Sequence, residues 1–125
     1  MDRDRFCQCP CCRAWFSSRD ILENPEVEPI GMTFDGGDPQ FNLFYFNHVV
    51  ADCGSTFAVA ARRFASFLPE PAPPDVLAGT PECEGHCTSL ADLAECHSRC
   101  HWAPYRRFLL SLQERRTLPE SREEP

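Results

Sequence analysis

The sequence predicts an α+β fold: a small β-hairpin or sheet, followed by a C-terminal helical hairpin that carries a second cysteine cluster. Three observations predict it. Two aromatic and β-branched runs, PIGMTF (29–34) and FNLFYFNHVV (41–50), bracket the turn formers DGGDPQ, as the arms of a hairpin do. Two half-motifs of the form C-x-x-x-F, Cys12 to Phe16 and Cys53 to Phe57, flank that hairpin. In the last third, apolar residues recur at helical spacing beside a twin C-x-x-x-C.

Taken in order, residues 1–20 form a cysteine-rich entry. SSRDILENPEVEP (17–29) predicts a short helix capped at Ser17 or Ser18 and ended by Pro25. The hairpin follows, with a six-residue loop. Aromatic residues fall on both faces of its second strand, so that strand is expected to be central and covered on both sides. STFAVAARRFASFL (55–68) reads as a short strand through Val59 and then a helix to about Leu68, with Phe57, Ala60, Ala61, Phe64 and Leu68 at helical spacing. The five prolines of residues 69–82 make a stiff, extended connector. Beyond it, SLAD (89–92) resembles a capping box that opens a helix with Leu90, Leu93, Ala94, His97 and His101 on one stripe. Pro104 ends that helix and suits the first turn of another, whose apolar face is Tyr105, Phe108, Leu109 and Leu112. The domain plan is thus a cysteine-rich hairpin unit (1–68), a connector (69–82), a helical cysteine and histidine segment packed on the first unit (83–116) and a flexible tail (117–125).

The chain has 125 residues and nine cysteines. A domain of this size buries only about two-thirds of its unfolded surface, so cross-links would help it. The charged start, MDRDRFCQCP, has no apolar stretch of a secretory signal, and no run approaches the roughly 18 apolar residues of a membrane span. The expectation is a cytoplasmic chain with reduced cysteines, in which clustered thiols read as metal ligands rather than disulfides. The net charge of −7 falls on residues 20–61, which hold seven acids and no arginine. Nucleic-acid binding needs a basic footprint, so neither nucleic acid nor membrane is expected as a partner; another protein is.

The first donor set is Cys9, Cys12, His48 and Cys53. A Cys-x-x-Cys pair bends around one ion because its backbone amides turn toward the thiolates, and zinc takes four such ligands as two close pairs. Pro10 stiffens the first turn, Gly54 permits a tight turn after Cys53, and Phe16 would cover the site. Cys7 and Cys11 are alternates within the same cluster. CPCCRAWF (9–16) resembles the knuckles of zinc ribbons and the start of the bacterial CpXC domain. The resemblance spans about the first sixty residues, with His48 where a cysteine is usual and Arg13 where a glycine is usual. It implies a zinc-ribbon-like fold and not an activity.

The second set is Cys83, Cys87, Cys96 and Cys100, from CEGHC and CHSRC, with His86, His97 and His101 in the same segment. Four readings stay open: a structural zinc site, two disulfides, an iron–sulfur cluster, or a stretched relative of the c-type haem signature. Phosphate loops, dinucleotide fingerprints, nucleophile elbows and H-E-x-x-H are all missing. Each candidate site has four cysteine or histidine ligands and no open position for a substrate, with Asp52, Glu82 and Glu84 merely flanking them. The reading is a non-catalytic protein holding one or two zinc ions, a protein-interaction or regulatory module. The alternative is an iron–sulfur or dithiol redox protein.

Overall fold

The computed structural model describes residues 5–35, 38–51 and 53–123, with side chains as far as Glu114 except those of Asp35, Pro39 and Thr88. Gly36 and Gly37 of the expected hairpin loop, and Asp52, lie outside the described residues; of the tail expected at 117–125, only the backbone to residue 123 is described.

The fold is a small α+β arrangement. Cys7–Gln8 (β1) and Trp15–Phe16 (β2) pair antiparallel, with Cys7 opposite Phe16. The turn between them is closed by Cys9 N–H donating to the Ala14 carbonyl and Arg13 N–H to the Cys9 carbonyl. Helix α1 spans Ser18–Glu23, and its cap is Ser17. The Ser17 hydroxyl accepts from Asp20 N–H at 3.0 Å, while the Asp20 carboxylate accepts from Ser17 N–H at 2.9 Å. This reciprocal pair satisfies two helix-end donors.

Val27–Asp35 (β3), Asp38–His48 (β4) and Thr56–Ala60 (β5) form an antiparallel sheet in the order β3-β4-β5. The hairpin is tighter than its six-residue loop predicted, because Asp38 already pairs with Asp35. β4 is central, as expected, but it is covered on one face only. Asn42, Phe44, Phe46 and His48 are buried on the inner face, whereas Phe41 is 45% exposed and Leu43, Tyr45 and Asn47 are half-buried. Alternation along a strand puts neighbours on opposite faces, and α2 supplies a lid to only one of them.

Ala61–Phe67 follows β5 as a 3₁₀ helix, the tighter relative of the α-helix expected there. It drops Phe64 into the centre of the core, 4.9 Å from the Phe44 ring and 5.9 Å from that of Phe108. Helix α2, Ala103–Glu123, lays Tyr105, Phe108, Leu109 and Leu112 on the sheet, the face its spacing predicted. One contiguous core joins Cys9 and Phe16 to Cys100, Trp102 and α2.

The first arm of the expected helical hairpin does not form: residues 89–101 are turns, a bend and irregular chain. Short polar side chains there bond to nearby amides in ways that compete with a helix. The Ser89 hydroxyl accepts from Ala91 N–H rather than from the third residue on, Asp92 accepts from Ala94 N–H, and Ser98 from Cys100 N–H. The carbonyls of Asp92, Ala94 and Cys96, which a helix would have used internally, are instead taken by Arg106 and Arg107 of α2. The apparent 3.6-residue stripe of this segment therefore does not report a helix, and Leu93 stands half exposed.

This loop docks on the sheet at Gly31. A Cβ built there would overlap the Leu90 carbonyl oxygen and lie 2.7 Å from Leu90 Cδ1. Since the first obstacle is backbone, Gly31→Ala is expected to lift the loop and cost about 1–3 kcal/mol in urea denaturation. An unchanged unfolding midpoint would show that the loop is not seated on β3.

Candidate metal centre

Two turns make the site. The first, between β1 and β2, carries Cys9 and Cys12; the second, between β4 and β5, carries His48 and Cys53. Register brings them together, because β2 ends in Phe16, whose ring stacks on Phe57 of β5 at 5.4 Å and meets the His48 ring edge-on at 4.9 Å. The second turn is tied by His48 N–H to the Ser55 carbonyl and by Cys53 N–H to the Val50 carbonyl.

The four donor atoms, three sulfurs and one imidazole nitrogen, all lie within 4.8 Å of one another. Cys9 Sγ is 3.6 Å from Cys53 Sγ, and Cys12 Sγ is 3.5 Å from His48 Nδ1. A tetrahedral zinc ion with its ordinary bond lengths separates two sulfurs by about 3.8 Å and a sulfur from a nitrogen by about 3.6 Å. These two edges of the cluster therefore match the coordination polyhedron. Cys9 and His48 are buried, Cys53 is half-buried and Cys12 is exposed, so the site lies at the surface with its inner wall in the core. Among the described residues this is the one group of three or more His, Cys, Asp or Glu donors so closely gathered.

The surroundings favour anionic sulfur. Burial works against the Cys9 thiolate, but the Ser55 hydroxyl, the amides of Cys12 and Cys11, and His48 outweigh it and bring the thiol from 9.0 to about 6. Cys53 is lowered as well, first by the Ser55 hydroxyl and then by the Ser55 amide. Burial opposes the charged form of His48, yet the neighbouring Cys53 and Cys9 sulfurs raise it above its ordinary value. Cys12 accepts from the Ala14 amide, which lowers it, but burial and the Cys9 and Cys53 sulfurs raise it overall. Protons and a metal ion thus compete for one donor set.

Ser55 is a site residue that the sequence reading missed. Its hydroxyl stands 3.3 Å from Cys9 Sγ and 3.1 Å from Cys53 Sγ, so its one proton can orient either sulfur, as outer hydrogen bonds do around metal ligands. The available signal was a small polar residue two positions after a candidate ligand. The alternates fall outside the donor set. Cys7 sits half-buried on β1, where burial pushes its thiol up to about 11. Cys11 is exposed at the rim, raised by its contact with Cys53.

Both turns use left-handed backbone directly after a ligand: Gly54 has φ of 72° and Arg13 has φ of 68°. At Arg13 the side chain bears a steric cost of about 1–2 kcal/mol that glycine escapes. Arg13→Gly is accordingly expected to raise stability by up to about 1 kcal/mol, glycine's extra chain entropy offsetting the rest. Chemical denaturation of the two proteins at matched metal content checks this, and a clear loss of stability would contradict it.

The second cysteine set is gathered differently. Cys83, Cys87, Cys96 and Cys100 line one small cavity, but no three of their sulfurs lie within the 4.8 Å that holds the first set. The three histidines have partners of their own. His86 lies between Asp92 and Glu84 at 3.0 and 3.1 Å, exposed His97 faces Glu84 at 3.7 Å, and His101 Nδ1–H donates to the Pro73 carbonyl at 2.8 Å. All nine cysteines are free thiols in the structure.

Among the described residues no helix is long and apolar enough to cross a membrane. Set against protein-family models, curated proteins and solved structures, the chain matches none significantly.

Proposed function

We propose that the protein is a small non-catalytic zinc-binding module, its N-terminal knuckle and its sheet held together by one ion on Cys9, Cys12, His48 and Cys53. The observation that carries this reading is the agreement of the 3.6 and 3.5 Å donor separations with a tetrahedral ion of zinc's size. Four protein donors complete that tetrahedron and leave no position for a reacting water, which favours a structural over a hydrolytic role. The turn geometry supports the zinc-ribbon likeness of CPCCRAWF.

The module's work is then to present a surface to another protein, in a reducing compartment such as the cytoplasm. Trp15 and Val49, each next to a metal-binding turn, are 46% and 45% exposed, and aromatic side chains are enriched in the cores of protein interfaces. A dithiol redox role has in its favour the 3.6 Å separation of Cys9 and Cys53; against it, Cys9 is fully buried, whereas reactive thiols are reached by their partners. An iron–sulfur cluster spreads its cysteine ligands around several irons, more widely than this set allows.

Elemental analysis of protein purified without a metal-affinity step decides the matter. The expected result is bound zinc, no iron, a colourless solution, and one ion fewer per chain in His48→Ala. Iron with inorganic sulfide, or zinc content unchanged in His48→Ala, would overturn the assignment.

A further inference from the structure

We propose that Cys83, Cys87, Cys96 and Cys100 form a second metal centre, which takes a single zinc-class divalent ion as four thiolates and ties the loop of residues 83–101 to the start of α2. This centre is independent of the first: it shares none of its ligands.

The enclosure comes first. All four cysteines line one cavity of about 20 Å³, walled by Phe34 of β3 and by Trp102. That is room for one water-sized body, the scale of a single ion. Cys96 and Cys100 are buried and the other two half-buried.

The backbone supplies the second argument. Gly85 N–H donates to Cys83 Sγ at 3.4 Å, and Trp102 N–H to Cys100 Sγ at 3.5 Å. The Ser98 hydroxyl lies 3.1 Å from Cys96 Sγ. In each case the group two residues after the cysteine serves its sulfur. The first centre is built the same way, with the amides of Ala14 and Ser55 serving Cys12 and Cys53. Cys100 receives a further N–H, from Leu77 of the connector, at 3.3 Å. Donors converging on sulfur are the usual outer layer of metal–thiolate sites. Gly85, left-handed at φ 80°, makes the turn that aims its own amide.

Charge is the third. Four thiolates and one divalent ion leave two negative charges in a largely apolar wall, which need a partner. Arg106, 2% exposed, lies against Cys87; burial still pushes that thiol up to about 11, so an ion must displace its proton. No three of these sulfurs lie within 4.8 Å of one another in the structure, so binding must draw them together, through rotation about their Cα–Cβ bonds between staggered positions. Binding releases each remaining thiol proton to solvent.

Metal content and cobalt replacement, both on the native chain, test this. Two ions per chain are expected, with all nine thiols titrating once the protein is denatured in chelator. Replacing zinc by Co²⁺ should give the spectra of two tetrahedral sites, one with four sulfurs and one with three sulfurs and a nitrogen, and Cys83→Ser/Cys87→Ser should keep only the second. One ion per chain with only the three-sulfur spectrum overturns this proposal and leaves the first centre standing. One ion with only the four-sulfur spectrum keeps it and removes the first. Five titrating thiols, the nine less four held in two disulfides, would also overturn it.

Discussion

Arg106→Ala is expected to remove about 3–5 kcal/mol of stability, the cost of breaking a buried charged partnership from one side. The Arg106 side chain is 2% exposed. Its Nε–H donates to the Ala94 carbonyl at 2.5 Å, and its Nη2 serves both the Asp92 carbonyl and, at 3.3 Å, the Asp92 carboxylate. Truncation would strand two carbonyls, each costing about 1–3 kcal/mol, and leave the half-buried Asp92 carboxylate to His86 at 3.0 Å. A domain of this kind holds only about 5–15 kcal/mol in total, so the variant should sit near the edge of folding. Arg106→Lys keeps the charge but offers a point donor instead of a fork, and should recover only part of the loss. Exposed Arg99 serves as the control, expected to change stability by less than about 0.5 kcal/mol when replaced by alanine. Guanidinium denaturation of the three proteins gives the comparison. If Arg106→Lys unfolds at the native midpoint, the guanidinium is not what holds the loop.

That arginine marks the limit of what could be read from the sequence. The hairpin was legible because β-branched and aromatic residues crowd residues 29–34 and 41–50, and β5 matches the short strand read through Val59. The face of α2 was legible because nothing interrupts the spacing of Tyr105, Phe108, Leu109 and Leu112. The first donor set was legible as well: Cys-x-x-Cys and a following aromatic constrain the backbone locally, and the hairpin between the two pairs brings them to one end. Residues 89–101 misled because their apolar spacing is helical while their polar residues are not. Ser89, Asp92 and Ser98 each close a local turn, and the acceptors that would have made a helix are claimed by side chains ten or more positions away. Spacing within a segment cannot show that a distant arginine will take its carbonyls. The one-sided covering of β4 was hidden for a similar reason. Phe41 stands 45% exposed on the outer face with Arg62 of the 3₁₀ helix 5.4 Å above its ring, a neighbour that spacing within the strand does not reveal.

Cys9→Ser with Cys12→Ser is expected to have the largest effect of all. Apparent binding free energies of structural zinc sites reach about 10–16 kcal/mol at neutral pH, comparable to the entire stability of a domain. Cys9 is not a peripheral ligand: it is fully buried and belongs to the same core as Phe16, Phe46, Phe57 and Leu112. Loss of the ion should therefore lower one cooperative unfolding transition, and not melt the first half while the second half stays folded. Circular dichroism and the Trp102 environment should report the same midpoint. Two separated transitions would show that the halves are coupled less tightly than their shared core implies.

Acid should act on the same atoms. In the chelated native chain the Cys9 thiol sits at about 6 instead of its ordinary 9.0, so its contribution to stability is complete above pH 9, shrinks as the pH falls, and is gone below about 6. Chelated Cys9→Ser lacks that thiolate and should show a flatter profile between those limits. With zinc bound the loss should move to lower pH, since the ion must first be displaced by protons. A chelated native profile as flat as the variant's would mean that the hydroxyl of Ser55 and the amides of Cys11 and Cys12 do not hold Cys9 as an anion, and the case for an ion at that corner would lose its electrostatic half.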